Sequence, residues 1–247
     1  MKNKFIVAAV AILFVGLFIA AADLYNNQKN SSLNSATLEN IEYIQRDYSP
    51  TLGPVDAKVT IVEFFDPACG TCRSFYPLVK RIMSENEGRV NLVLRYLPLH
   101  NGSDVIITIF EAARLQGLFW ETLKLAYKRQ DAWVVNHISI PAKLWGQLDG
   151  IGLDMDKLAV DMKSVEIARR VKQDLADAKQ LKVNKTPGFF VNGKPLINFG
   201  YKQLQQLVAS EIDEQISLAP PGGNLLPVGN SPCDRNCLNG SCSVIPR

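Results

Sequence analysis

One stretch limits what this chain can fold into more than any other. Val59-Thr60-Ile61-Val62-Glu63-Phe64-Phe65 is β-branched and aromatic, stops at Asp66-Pro67, and runs at once into Cys69-Gly70-Thr71-Cys72. Apolar residues then recur with helical spacing at Phe75, Leu78, Val79, Ile82 and Met83. The two cysteines therefore sit at a strand-to-helix junction. A helix start offers unpaired N–H groups and the positive end of the helix dipole, which favour a thiolate over a thiol. Cys69 is expected to be the acidic, exposed sulfur, with Cys72, a turn deeper, as its resolving partner. The two-residue spacer lets the pair close into a small disulfide that opens by thiolate attack through a mixed disulfide. Zinc also uses Cys-x-x-Cys. The globular part holds no second cysteine pair, so the spacing favours redox chemistry and no metal site is expected.

Three further features stand at fixed distances from this pair. Glu63 lies six residues before Cys69, inside an apolar strand where a carboxylate is costly unless it has a task. A buried acid beneath a disulfide can relay a proton to and from the resolving thiol. Pro77, five residues after Cys72, interrupts the helix and is expected to kink it. Thr186-Pro187 precedes Gly188-Phe189-Phe190-Val191-Asn192-Gly193-Lys194-Pro195, a hairpin pattern turning at Asn192-Gly193. A proline at the head of a strand facing the redox pair is a candidate for a cis peptide.

Taken together, these residues resemble the thioredoxin superfamily and, within it, the DsbA-like thiol:disulfide oxidoreductases. The resemblance covers roughly residues 48–218, most specifically Val59–Pro77 and Thr186–Lys194. It implies an α/β chain with a thioredoxin-like fold and an inserted helical subdomain. It also implies Cys69 as nucleophile, Cys72 as resolving thiol, Glu63 as proton handler, and Thr186-Pro187 as a substrate-binding loop. No organic cofactor is implied, because the cysteine pair is itself the redox group. Gly70-Thr71 stands where the strongest oxidants of the family carry Pro-His, which argues for a less oxidising pair.

The rest of the chain reads as scaffold and delivery. Phe5 to Ala22 is an apolar run behind Lys2 and Lys4, an export signal that is either cleaved or kept as an anchor. Residues 23–47 read as a tether rich in Asn, Ser and Gln, with a short helical pattern at Leu38, Ile41 and Ile44. Val59–Phe65 and Val90–Leu97, joined by a helix over Cys69–Asn86, form a βαβ unit with a parallel strand pair. Arg95 reads as a solvated strand charge, and His100 and His137 carry no assigned role. From about residue 103 to 182 strand signals give way to helical spacing, which places the insertion. Lys202 to Ile216 closes the domain as an amphipathic helix. Residues 219–247 form a tail of Pro, Gly, Asn and Ser that carries Cys233, Cys237 and Cys242 and should not pack a core. Five cysteines leave at least one without a partner in the monomer.

A net charge of +3 with no basic stripe gives no case for nucleic acid. The expected function is thiol–disulfide exchange outside the cytoplasm, in the periplasm or facing it, most simply as a dithiol oxidase. Its partners would be exported proteins with thiols or disulfides, together with a membrane-bound or soluble protein that resets the pair. Reduction or isomerisation by the same cysteines, and copper handling by a thioredoxin-like envelope protein, are the competing readings.

Overall fold

The computed structural model describes residues 14–21, 24 and 41–218. Residues 14–21 are helical, and among the described residues no helix is long and apolar enough to cross a membrane. The start of the apolar run, most of the tether and the whole cysteine tail lie outside the described residues, as does Leu38 of the expected short helix, whose residues 41–44 are helical.

Chain order begins with β1 (Thr51–Leu52), β2 (Val59–Phe65), α1 (Gly70–Glu85) and β3 (Val90–Tyr96). β2 and β3 pair in parallel from Val59↔Val90 to Phe65↔Tyr96, as the βαβ pattern requires. After the insertion come β6 (Gly188–Val191), β7 (Lys194–Pro195) and α8 (Tyr201–Leu218). The sheet order is β1-β3-β2-β6-β7, with β2 central and β6 antiparallel to it. Both faces of β2 are covered, which is why its residues are almost uniformly apolar rather than alternating. α1 continues through Pro77 and buries Cys72, Phe75, Val79 and Ile82 against the sheet. Each large apolar side chain so buried contributes roughly 1.5–3 kcal/mol before entropy is subtracted.

The insertion contains α2 (Ser103–Arg114), α3 (Phe119–Lys128), α4 (Gln130–Trp133), α5 (Pro141–Trp145), α6 (Met155–Asp161) and α7 (Val165–Gln180). It is not purely helical. A two-stranded hairpin, β4 (Val134–Val135) with β5 (Ile138–Ser139), turns through Asn136 and His137, both at positive φ. A left-handed pair of this kind matches the twist of a tight hairpin, and strands of two residues are too short to leave a periodic signal.

Arg95 also departs from the sequence expectation. In the parallel register it lies beside Phe64, on the sheet face opposite Glu63, and it is fully buried. Its guanidinium donates to Asp174 Oδ1 at 2.8 and 3.0 Å, to Asp177 Oδ2 at 2.6 Å, and to the carbonyls of Tyr43 and Ile44 at 2.7 and 2.9 Å. Arg46 closes the other side of Asp177 at 2.7 and 2.9 Å, and Tyr48 donates to Asp174 at 2.7 Å. This network ties the entry segment to β3 and α7. A lone charge would not survive such burial, but one paired with two carboxylates and two carbonyls does. Lys194 does similar work at the far end of the sheet, pairing with Glu211 of α8 at 2.8 Å and Glu214 at 2.7 Å.

Candidate active site

Cys69 is the N-cap of α1, in extended conformation, and its sulfur accepts from the Cys72 N–H at 3.3 Å. A sulfur replaces the usual capping oxygen, so a helix-start donor is spent on stabilising a thiolate. Across the site, Thr186-Pro187 is a cis peptide, and the Thr186 carbonyl oxygen lies 3.5 Å from Cys69 Sγ. Gly188 follows because a Cβ there would meet Val183 Cγ1 at 2.7 Å. A side chain at position 188 would therefore force Val183 or the loop beside the cysteine to shift. The loop also covers the sulfur more than the sequence suggested. Cys69 was expected to be exposed and is 6% exposed, because the cap position and the cis-proline loop enclose it.

The two thiols are driven apart electrostatically. Cys69 is lowered from 9.0 to about 5, chiefly by its hydrogen bond with the Cys72 side chain, with help from Thr186 and from the N–H groups of Cys72 and Thr71, against the opposing effect of burial. Cys72 is pushed well above the ordinary thiol range by burial first, then by its bond to Cys69 and the field of Glu63. Both cysteines are free thiols. The pair is thus asymmetric, with one sulfur ionised near neutrality and the other protonated.

Glu63 is 1% exposed, and its Oε1 has no hydrogen-bond partner among the described residues. Burial, then the charge of Cys69, raises it from 4.5 to about 8. A carboxyl titrating in that range can take and return a proton at neutral pH. The buried Tyr127 phenol is pushed upward by burial first and then by the fields of Cys72 and Glu63. The five residues expected at the site are grouped around the central strand: Glu63 within β2 opposite Phe189, Cys69 and Cys72 at the helix start that follows β2, and Thr186-Pro187 just before β6, with Thr186 against Cys69.

Other residues shape the site without having stood out in the sequence. Gln130 of α4 donates from Nε2 to the Pro67 carbonyl at 2.8 Å and to that of Cys69 at 3.4 Å. Asp66, wholly buried, accepts from Ala68 N–H at 2.8 Å and from the β3–α2 connection. A polar residue directly after an apolar strand and before Pro67 was the available signal for Asp66. Gln130, some sixty residues away, offered none. Among the described residues no group of three or more His, Cys, Asp or Glu side chains is arranged to hold a metal ion.

Residues 45–210 match a family model described as thioredoxin. A thioredoxin-like oxidoreductase from Silicibacter pomeroyi is 27% identical and superimposes with a TM-score of 0.60 over 70% of this chain and 95% of that one. BdbD from Bacillus subtilis, in its oxidised form, is 22% identical with a TM-score of 0.60, over 67% of this chain and 93% of that one. α-DsbA1 from Wolbachia pipientis is 17% identical with a TM-score of 0.63, over 72% and 98%. At those last two identities the likeness concerns the fold, which is the expected thioredoxin-like α/β architecture with a largely helical insertion. Among curated relatives, a Na(+)/H(+) antiporter NhaA of Herminiimonas arsenicoxydans is 33% identical over 58% of this chain, and NhaA 3 of Salinispora tropica is 31% identical over 73%. The matches cover only 22% and 27% of those proteins. The chain therefore spans about a quarter of their length.

Proposed function

The chain belongs to the thioredoxin family, and from that premise we propose that it is a protein thiol:disulfide oxidoreductase working through Cys69 and Cys72, most simply as a dithiol oxidase. The observation that carries this reading is the unequal pair: a Cys69 thiolate capping a helix start against the cis-proline loop, with a protonated Cys72 behind it.

In the oxidising direction a client thiolate attacks Cys69 Sγ of the Cys69–Cys72 disulfide. A client–Cys69 bond forms, the Cys69–Cys72 bond breaks, and Cys72 leaves as a thiolate. Glu63, protonated at neutral pH, supplies the proton that Cys72 demands. A second client thiolate then attacks the client sulfur of the mixed disulfide, and Cys69 departs. Its lowered pKa makes it a good leaving group. Two electrons have passed from the client dithiol to the cysteine pair, which a further redox protein must recharge. A stable Cys69 thiolate favours the reduced pair and so makes the disulfide a better oxidant. That is the ground for preferring oxidation over reduction or isomerisation. Thr186-Pro187 is assigned to the client backbone, whose approach the same loop would control.

We take residues 48–218 as the redox unit, with the insertion at about 103–182. Residues 1–22 are assigned to export or anchoring, 23–47 to the tether, and 219–247 to a separate cysteine tail. The clients are proposed to be exported proteins met on the extracytoplasmic side. The test is the equilibrium of the full chain with defined glutathione mixtures, together with oxidation of a reduced client and reduction of insulin. Oxidation that disappears in Cys69→Ser, with a potential above that of glutathione, supports the reading. A strongly reducing potential with insulin turnover would make it a reductase, and full activity in Cys69→Ser would end it.

A further inference from the structure

Asp66 is the most heavily hydrogen-bonded side chain near the cysteines, and the exchange chemistry leaves it no role. It directly follows β2, three residues before Cys69, and is fully buried. Five donors converge on its two oxygens. Oδ1 accepts from Ala68 N–H at 2.8 Å and from Ser103 Oγ at 2.6 Å. Oδ2 accepts from Leu99 N–H at 2.6 Å, from His100 N–H at 2.7 Å and from His100 Nδ1 at 2.8 Å. Its carbonyl takes the Cys69 N–H at 3.0 Å, so both ends of the residue hold the turn that leads into the redox pair.

These donors belong to separate pieces of the chain. Ala68 lies in the turn before Cys69, Leu99 and His100 in the connection after β3, and Ser103 at the start of α2. Ser103 Oγ is also 3.0 Å from Ser139 Oγ of β5, and Ser139 N–H donates to the Asn101 carbonyl at 2.9 Å. Gly102, at φ +83, lets this approach happen, since a Cβ there would meet the Ser139 carbonyl oxygen at 2.6 Å. His100 stacks on His137 of the same hairpin with ring centres 6.1 Å apart. Gln130 holds the turn from the other side through Pro67 and Cys69.

We propose that Asp66 is a positioning residue of the redox pair: its carboxylate locks the turn ahead of Cys69 to the β3–α2 connection and, through Ser103, to the insertion, and so holds the Cys69 sulfur against the Cys72 N–H and Thr186. The chemistry is specific to a carboxylate. Three of the five donors are backbone N–H groups, which can only donate, and an amide would turn its NH₂ toward at least one of them whichever way it faced. The inference rests on the reading of Cys69 as the exchanging sulfur. It goes beyond that reading by giving the sulfur's placement a cause outside the Cys-x-x-Cys motif.

Positioning and simple charge have opposite signs, which makes the test decisive. A buried carboxylate acting only as a charge would disfavour a nearby thiolate, so removing it would lower the Cys69 midpoint. A carboxylate acting as a frame has the reverse effect, because its loss loosens the donors around the sulfur. The experiment is Asp66→Asn in the full chain, kept reduced. Cys69 is titrated by thiolate absorbance and by its rate with a thiol-directed reagent, and global stability is measured separately by denaturation. The expected result is a folded variant whose midpoint rises by about one pH unit, a roughly tenfold loss of thiolate at pH values below both midpoints. An unchanged or lowered midpoint in the folded variant overturns the proposal. If Asp66→Asn does not fold, Ser103→Ala and His100→Gln each remove one donor. A rise in either supports the frame, and parental midpoints in both overturn it. Failure of the underlying reading looks different: the parent itself exchanges no disulfides, whatever Asp66→Asn does to the titration.

Discussion

Replacing Glu63 by Gln should change the pH dependence of stability in a direction fixed by the site. The carboxyl moves from 4.5 in the open chain to about 8 in the fold, because burial strips its hydration and Cys69 adds a like charge. Below about pH 4 both folded and unfolded chains hold the proton, and nothing is lost. Between 4.5 and about 8 the unfolded chain releases the proton while the folded chain keeps it, so stability falls as pH rises. Above about 8 the full cost is present, and at about 1.4 kcal/mol per pH unit it reaches an upper bound of roughly 5 kcal/mol. In the reduced protein Cys69 acts oppositely. Its fall from 9.0 to about 5 adds stability as pH rises through that window. The parent curve should therefore be nearly flat from pH 5 to 8, and that of Glu63→Gln should climb. A buried amide lacking a partner imposes a pH-independent offset, so the slope carries the result. The assay is urea denaturation of the full reduced chain, parent and variant side by side, at about pH 4, 6 and 8. A stability difference that stays constant across that range would refute the account of Glu63 as a buried, proton-holding acid.

Three further outcomes follow from the same structure. Cys72→Ala removes the largest influence holding Cys69 near 5, so the Cys69 midpoint should move up toward the ordinary thiol range, as read by alkylation rate against pH; no movement would reassign the effect to the helix start. Arg95→Met leaves Asp174 and Asp177 buried with fewer partners and should cost about 3–5 kcal/mol by chemical denaturation, with faster proteolysis around Tyr43 to Tyr48. Gly188→Ala forces a methyl against Val183 and should cost about 1–3 kcal/mol, and it should also slow exchange at Cys69 by lifting the cis-proline loop; a neutral result in both assays would show that the Val183 side chain moves aside.

Much of the site was legible because Glu63, Cys69 and Cys72 are close in sequence and each member of the site carries a local signal. Val59–Phe65 reads as a strand by composition, the helix after Cys69 by spacing, and the junction between them is where a thiolate is stabilised. Thr186-Pro187 was legible through the hairpin behind it, whose Asn192-Gly193 turn falls where expected, with Asn192 at φ +46. The hairpin at 134–139 was not legible, since two-residue strands have no period to detect. Arg95 was misread because strand alternation gives the face of a side chain but not what waits there. α7, which supplies Asp174 and Asp177, lies about eighty residues downstream.

The sequence by itself determined the chemistry: which sulfur meets a helix start, which acid lies under it, and which proline faces them. The first two are short-range facts, fixed by strand and helix periods, whereas Thr186-Pro187, with Thr186 117 residues after Cys69, was placed by the hairpin behind it and by the family resemblance. The tertiary structure alone decided how closed the site is, how far Glu63 and Cys69 shift, and that Asp66 gathers donors from three segments. Burial and hydrogen-bond convergence depend on elements distant in sequence arriving at the same place, and no local pattern encodes that arrival.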